Sequence, residues 1–128
     1  MNWAIINGNS HTGATFYQIN KSADSGPIYA QEKLEIGKTD YVQEVLRKML
    51  GAYKRVAVQG IRAVLDNKTS QAQDESKASY CAKRTPEDGL IDFHADVQVV
   101  YNMVRALTDP FPGAFTIYKG IKVTITKA

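Results

Sequence analysis

Cysteine is nearly absent from this 128-residue chain. Cys81 stands alone, so no disulfide can form within it. The two histidines, His11 and His94, offer no metal-ligand spacing with that single thiol. Long apolar runs are missing too: stretches such as Trp3 to Ile6 fall far short of the roughly 20 residues needed to span a bilayer. The start of the chain lacks the basic residues and apolar stretch of a signal peptide. Neither charge sign dominates. The net charge is +3, with basic residues scattered among acidic ones, which argues against nucleic acid as a partner. There is no internal repeat, no Ser-His-Asp arrangement and no glycine loop of the phosphate-cradling kind. These absences together point to a cytoplasmic protein with no membrane association and a metal-free site.

What the chain does contain is 44% hydrophobic residues, ordinary for a domain that buries a core. Trp3 to Asn7 reads as the end of a short helix closed by Gly8. Ala14 to Ile19 and Pro27 to Ile36 read as strands from their β-branched, aromatic and alternating residues. The polar, small-residue stretch Asn20 to Gly26 between them is a loop whose backbone can approach a ligand.

Thr39 is expected to cap a long helix, with Asp40 in its first turn. Val42, Val45, Leu46, Met49, Tyr53, Val56, Ala57, Gly60, Ile61 and Val64 recur at three- and four-residue steps and are expected to line its inner face. Gly51 and Gly60 are weak points in that helix. The polar run Asp66 to Ser79 reads as an exposed connector. Ala95 and Asp96 open another helix, with Val97, Val100, Tyr101 and Val104 inside, which must end before Pro110. Phe115 to Tyr118 and Lys122 to Thr126, joined by Lys119 and Gly120, read as a closing hairpin. The expected class is α/β.

Among candidate chemical groups, Asp24 taken alone reads first as a loop aspartate capping the turn before Gly26. Arg105 presents a planar fork suited to phosphate or carboxylate, or alternatively to an ion pair with Asp92 or Asp109. His11 and His94 read as surface or capping residues, and Cys81 as a buried or bystander thiol.

Three segments give Asp24 a sharper meaning. Lys21-Ser22-Ala23-Asp24-Ser25-Gly26-Pro27-Ile28, Thr85-Pro86-Glu87-Asp88-Gly89-Leu90-Ile91-Asp92, and Val104 to Phe115 with its Asp109-Pro110-Phe111-Pro112-Gly113 core follow in that order. With Asn2 to Gly8 and Thr12 to Thr15, they resemble the middle of the enzymes that move a formyl group from 10-formyltetrahydrofolate onto a primary amine. The likeness looks closest to the branch acting on nucleotide-linked amino sugars, with methionyl-tRNA formylation as the enzymatic alternative. It implies a truncated formyltransferase domain over residues 1–79, followed over 80–128 by a linker helix and the start of a C-terminal β region.

Several roles follow from the resemblance alone. It implies that Asp24 is catalytic, orienting an acid-base histidine, and that Asn20, Lys21, Ser22, Ala23 and Asp24 line the folate pocket, mostly through backbone groups. Asn102 and Arg105 become substrate-side residues. Family members carry an Asn-x-His pair and a Ser-Leu-Leu-Pro stretch just upstream of the Asn-Trp segment, whereas this sequence opens at Met1. The expectation is therefore a chain inactive alone, its unpartnered sheet edges and helix faces covered by self-association or by docking with an N-terminal portion, or else a non-catalytic assembly module.

Overall fold

The computed structural model describes every residue from Met1 to Ala128. In chain order the elements are α1 (Asn2–Ile6), β1 (His11–Tyr17), β2 (Ile28–Glu35), α2 (Val42–Leu65), α3 (Val97–Leu107), β3 (Ala114–Tyr118) and β4 (Ile121–Ile125). The α/β class holds, with β1 beside β2 in one two-stranded sheet and β3 beside β4 in another. No helix is long and apolar enough to cross a membrane. The chain divides into two units, one of residues 1–12, 35–46 and 81–128, the other of residues 13–34 and 47–80.

In the first unit, α1 ends as its sequence predicts. Gly8 adopts φ +68°, its N–H reaches the Ile5 carbonyl and the Asn9 N–H reaches that of Ala4. This pair of bonds is the Schellman closure, which a residue without a β-carbon adopts at least cost. Asp96 caps α3 by accepting from the Gln98 N–H at 2.8 Å. Val104, Ala106 and Leu107 of α3 are buried with Ile5, Ile91, Ala114 and Phe115. Val97 is a correction: it is 81% exposed, because the buried face begins a turn later and includes Asn102 and Arg105 instead. The hairpin β3–β4 pairs Tyr118 with Ile121, and Lys119 and Gly120 both have positive φ, as a two-residue primed turn requires.

The start of α2 also differs from expectation. Thr39 does not cap it. Asp40 accepts from the Gly37 N–H at 2.7 Å to close a turn, and Glu44 reaches back to the Tyr41 N–H at 3.0 Å, so the helix begins after Tyr41. A glutamate three residues inside the cap makes this half of a capping box.

In the second unit, α2 continues unbroken through Gly51 and Gly60 to Leu65. The hairpin β1–β2 packs on it through a cluster of Ala14, Ala52 and Val56, joined by Phe16, Ala30 and Leu34. The buried face here uses Met49, Ala52, Val56, Gly60 and Ala63. Tyr53, Ile61 and Val64, expected inside, are 52, 51 and 45% exposed. Small residues take the inner face because the sheet comes close: a β-carbon on Gly60 would lie 2.2 Å from Phe16 Cδ1. The connector after α2 is more than a connector. Gln71 exchanges backbone hydrogen bonds with Ile28 at 2.7 and 2.8 Å, which brings this polar segment against the start of β2.

Candidate functional site

The loop between β1 and β2 is closed by the Gln18 N–H donating to the Pro27 carbonyl at 3.0 Å. Gly26 sits so near that a β-carbon there would fall 1.6 Å from the Gln18 carbonyl oxygen, so no other residue fits. Inside the loop, Asn20 Oδ1 accepts from the Ser22 N–H and from Ser25 Oγ, each at 3.0 Å. An asparagine folding the backbone onto its own side chain in this way fixes a turn. Lys21, Ser22 and Ala23 form its exposed rim.

Asp24 is held from two sides. Its backbone has φ +55°, a region that aspartate tolerates better than most residues. Gln73 Nε2 bridges the carbonyls of Asp24 and Gly26 at 2.8 and 2.6 Å, which pins that conformation. The Tyr17 hydroxyl donates to Asp24 Oδ1. This bond to the carboxylate, with lesser help from desolvation and the Asp24 charge, pushes the Tyr17 phenol above its ordinary pKa. Oδ2 is left with no protein donor.

The carboxylate faces an open cavity of about 470 Å³, whose walls include Ala23, Ile28, Gln73, Glu75, Lys77 and Tyr80. No histidine lines it. The arrangement is a fixed, partly solvated carboxylate with one oxygen anchored and the other available to orient an incoming N–H group. The loop Asn20 to Asp24 was legible in the sequence, whereas Tyr17 and Gln73 were missed. Tyr17 carried a signal, as a polar-tipped residue ending a strand beside the loop; Gln73 carried none, because a side-chain amide bridging distant carbonyls leaves no periodic trace.

Asn102 and Arg105 come together in the other unit. Both are buried, at 5 and 3% exposure. Arg105 Nε donates to Asn102 Oδ1 at 3.0 Å, and Nη1 donates to the carbonyls of Asp40 at 2.8 Å and Gly37 at 3.4 Å. Burial pushes the guanidinium below its ordinary pKa, while Tyr101, Asp40 and Tyr41 oppose that shift. The expected ion pairs are not made. Asp92 accepts from the His94 N–H at 2.9 Å, and Asp109 from Gln43 Nε2 at 3.1 Å. Arg105 instead braces the turn before α2. His11 Nδ1 lies 2.8 Å from Ser10 Oγ, and Cys81 is exposed, so neither joins a cluster.

The formyl transferase family model matches residues 1–61, and the model for the formyl transferase C-terminal domain matches residues 83–128. The first match runs from α1 into α2, and the second contains α3 and the β3–β4 hairpin. The fold is that of a formyl transferase portion. The chain belongs to the formyl transferase family.

Solved structures agree on the fold. A 4-N formyltransferase from Francisella tularensis is 22% identical with a TM-score of 0.81, covering 99% of this chain and 55% of its own. An N-formyltransferase from Helicobacter canadensis, solved with folinic acid and dTDP-3-aminofucose, is 19% identical with a TM-score of 0.77, covering 94 and 45%. Methionyl-tRNA formyltransferase from Clostridium thermocellum is 22% identical with a TM-score of 0.70, covering 94 and 52%. The chain thus spans about half the length of these similar proteins.

Proposed function

We propose that this chain carries the carboxylate arm of a site that transfers the formyl group of 10-formyltetrahydrofolate to the amine of a nucleotide-linked amino sugar. The observation that carries this reading is Asp24, set in a pinned loop with one oxygen anchored by Tyr17 and the other free at a cavity wall. In the transfer, the amine nitrogen attacks the formyl carbon and loses a proton. The bond from that carbon to the folate nitrogen then breaks, and the folate nitrogen gains a proton. A carboxylate hydrogen-bonded to an imidazole orients that acid-base group and stabilises its charged form.

On this reading Asn20 to Asp24 meet the folate, and Asn102 and Arg105 serve the substrate side. The Helicobacter canadensis protein, solved with folinic acid and an aminofucose nucleotide, supports the choice of folate and amino sugar. The domain assignment, 1–79 as the catalytic portion and 80–128 as the linker and C-terminal β region, belongs to the same proposal.

The imidazole and the oxyanion donor come from residues outside these 128, because no histidine lines the Asp24 cavity. The isolated chain is therefore inactive, and a complementing N-terminal portion completes it. The exposed stripe of Leu50, Tyr53, Ile61 and Val64 on α2 supports such a covering partner, since large apolar side chains at helical spacing are seldom left in water.

The test is a mass-spectrometric formyl-transfer assay with 10-formyltetrahydrofolate and a panel of nucleotide-linked amino sugars, alongside methionyl-tRNA. The chain is assayed alone and mixed with a relative's N-terminal half. Transfer to an amino sugar only in the mixture supports the reading; transfer to methionyl-tRNA alone, or silence in every mixture, overturns it.

A further inference from the structure

The first unit holds a second cleft, about 340 Å³ in volume, whose walls include Ser10, Lys38, Gln98, Asn102 and Arg105. Its inner wall is unusual chemically. Asn102 Oδ1 is taken twice, by Gln98 Nε2 and by Arg105 Nε, both at 3.0 Å. That double acceptance fixes which way the amide faces. Asn102 Nδ2 is therefore turned toward Gly8, where it lies 3.2 Å from the place a β-carbon would occupy; it makes no hydrogen bond to the protein and, since no fully buried side-chain nitrogen or oxygen lacks a partner, it is open to solvent at the cleft. A side-chain amide whose oxygen is fixed by two protein donors, in a residue only 5% exposed, presents its N–H group to the cleft in one orientation and is available to a ligand there.

The charges agree. Lys38 is exposed at the mouth and makes no ion pair. Arg105 gives Nε and Nη1 to protein acceptors and keeps Nη2 without one. No carboxylate lines the cleft; the nearest acid acting on Arg105 is Asp40, whose Oδ2 accepts from the Gly37 N–H. A partly dry wall of two cationic groups and one oriented amide N–H selects an acceptor with dispersed negative charge.

We infer that this cleft is an oxyanion-binding site, in which Asn102 Nδ2, Arg105 Nη2 and Lys38 Nζ hold a phosphate or carboxylate group of a small ligand. The site lies on the residues placed at the substrate side above and so rests on that reading; its test reads binding alone, which keeps failure of the site distinguishable from failure of formyl transfer. Two sources share the chemistry, the phosphates of a nucleotide and a free carboxylate, and the test separates them.

The experiment is a titration of the full chain with inorganic pyrophosphate, a nucleoside diphosphate and acetate, followed by nuclear magnetic resonance of the side-chain amides. The Asn102 amide signal is expected to shift saturably with pyrophosphate and the nucleotide if phosphate is the ligand, and with acetate if carboxylate is. Asn102→Asp keeps the acceptor that Arg105 and Gln98 use but replaces the donor with a negative oxygen. It is expected to weaken binding by about tenfold or more, with near-ultraviolet circular dichroism confirming an intact fold. Lys38→Ala, an exposed change, should weaken binding and flatten its dependence on salt. No shift at the Asn102 amide with any of the three probes, or equal binding by Asn102→Asp, overturns the assignment.

Discussion

Phe16 and Gly60 pack so closely that the ring of one occupies the space where the other would carry a side chain. A β-carbon built on Gly60 would lie 2.2 Å from Phe16 Cδ1 and 2.8 Å from its Cβ. The second distance matters more, since turning the ring does not move Cβ.

Gly60→Ala is therefore expected to destabilise the protein by about 1–3 kcal/mol, although alanine is favoured over glycine inside a helix by about 1 kcal/mol. Gly51→Ala is expected to go the other way. Its new β-carbon would meet only the end of the flexible Arg55 side chain, at 3.2 Å. A gain of up to about 1 kcal/mol should remain. Urea unfolding of the two variants, compared at their midpoints, checks both signs.

Phe16 also marks what the sequence revealed and what it hid. The long helix, both hairpins and the Gly8 closure are local events, written in residues three or four apart or in a pair such as Lys119 and Gly120. The inner face of α2 was misread because large apolar residues were followed, whereas close approach of the sheet selects Ala52, Gly60 and Ala63. Asp24, Asn102 and Arg105 were singled out through their motifs; the Gln73 bridge and the bond from Arg105 to the Asp40 carbonyl join residues remote in the chain, which no pattern reports.

Arg105→Met is expected to cost about 2–4 kcal/mol, since it strips the Asp40 carbonyl and Asn102 Oδ1 of a charged donor in a buried setting. Thermal unfolding of the variant measures this. A loss near zero would mean that the turn before α2 holds without its brace.

Glu32 receives a two-pronged hydrogen bond from Arg55, at 2.9 and 2.5 Å, which holds its carboxyl below the usual range against an opposing desolvation effect. A depressed pKa contributes stability that is present above the ordinary glutamate value and lost as pH falls through the lowered one. Glu32→Gln is expected to lower stability slightly in the neutral region, to converge with the parent protein at low pH, and so to flatten the fall between them. The effect is small, because the Arg55 side chain is 55% exposed.

Tyr17 behaves in the opposite sense. Its raised pKa means that the bond to Asp24 is fully present below the ordinary tyrosine value and is lost as pH rises through the higher one. Alkaline absorbance titration should show one late phenol, and Asp24→Asn should return it to the ordinary range. The same variant keeps the backbone, because asparagine also tolerates φ +55°.

That tolerance makes Asp24→Asn the sharpest probe of function. The decisive measurement is the rate of formyl transfer to an amino-sugar nucleotide by this chain mixed with a relative's N-terminal half, compared between Asp24 and Asp24→Asn at matched concentrations. The account predicts a loss of at least about a hundredfold, as expected when a member of an acid-base unit is removed. Equal rates in the two mixtures would contradict it.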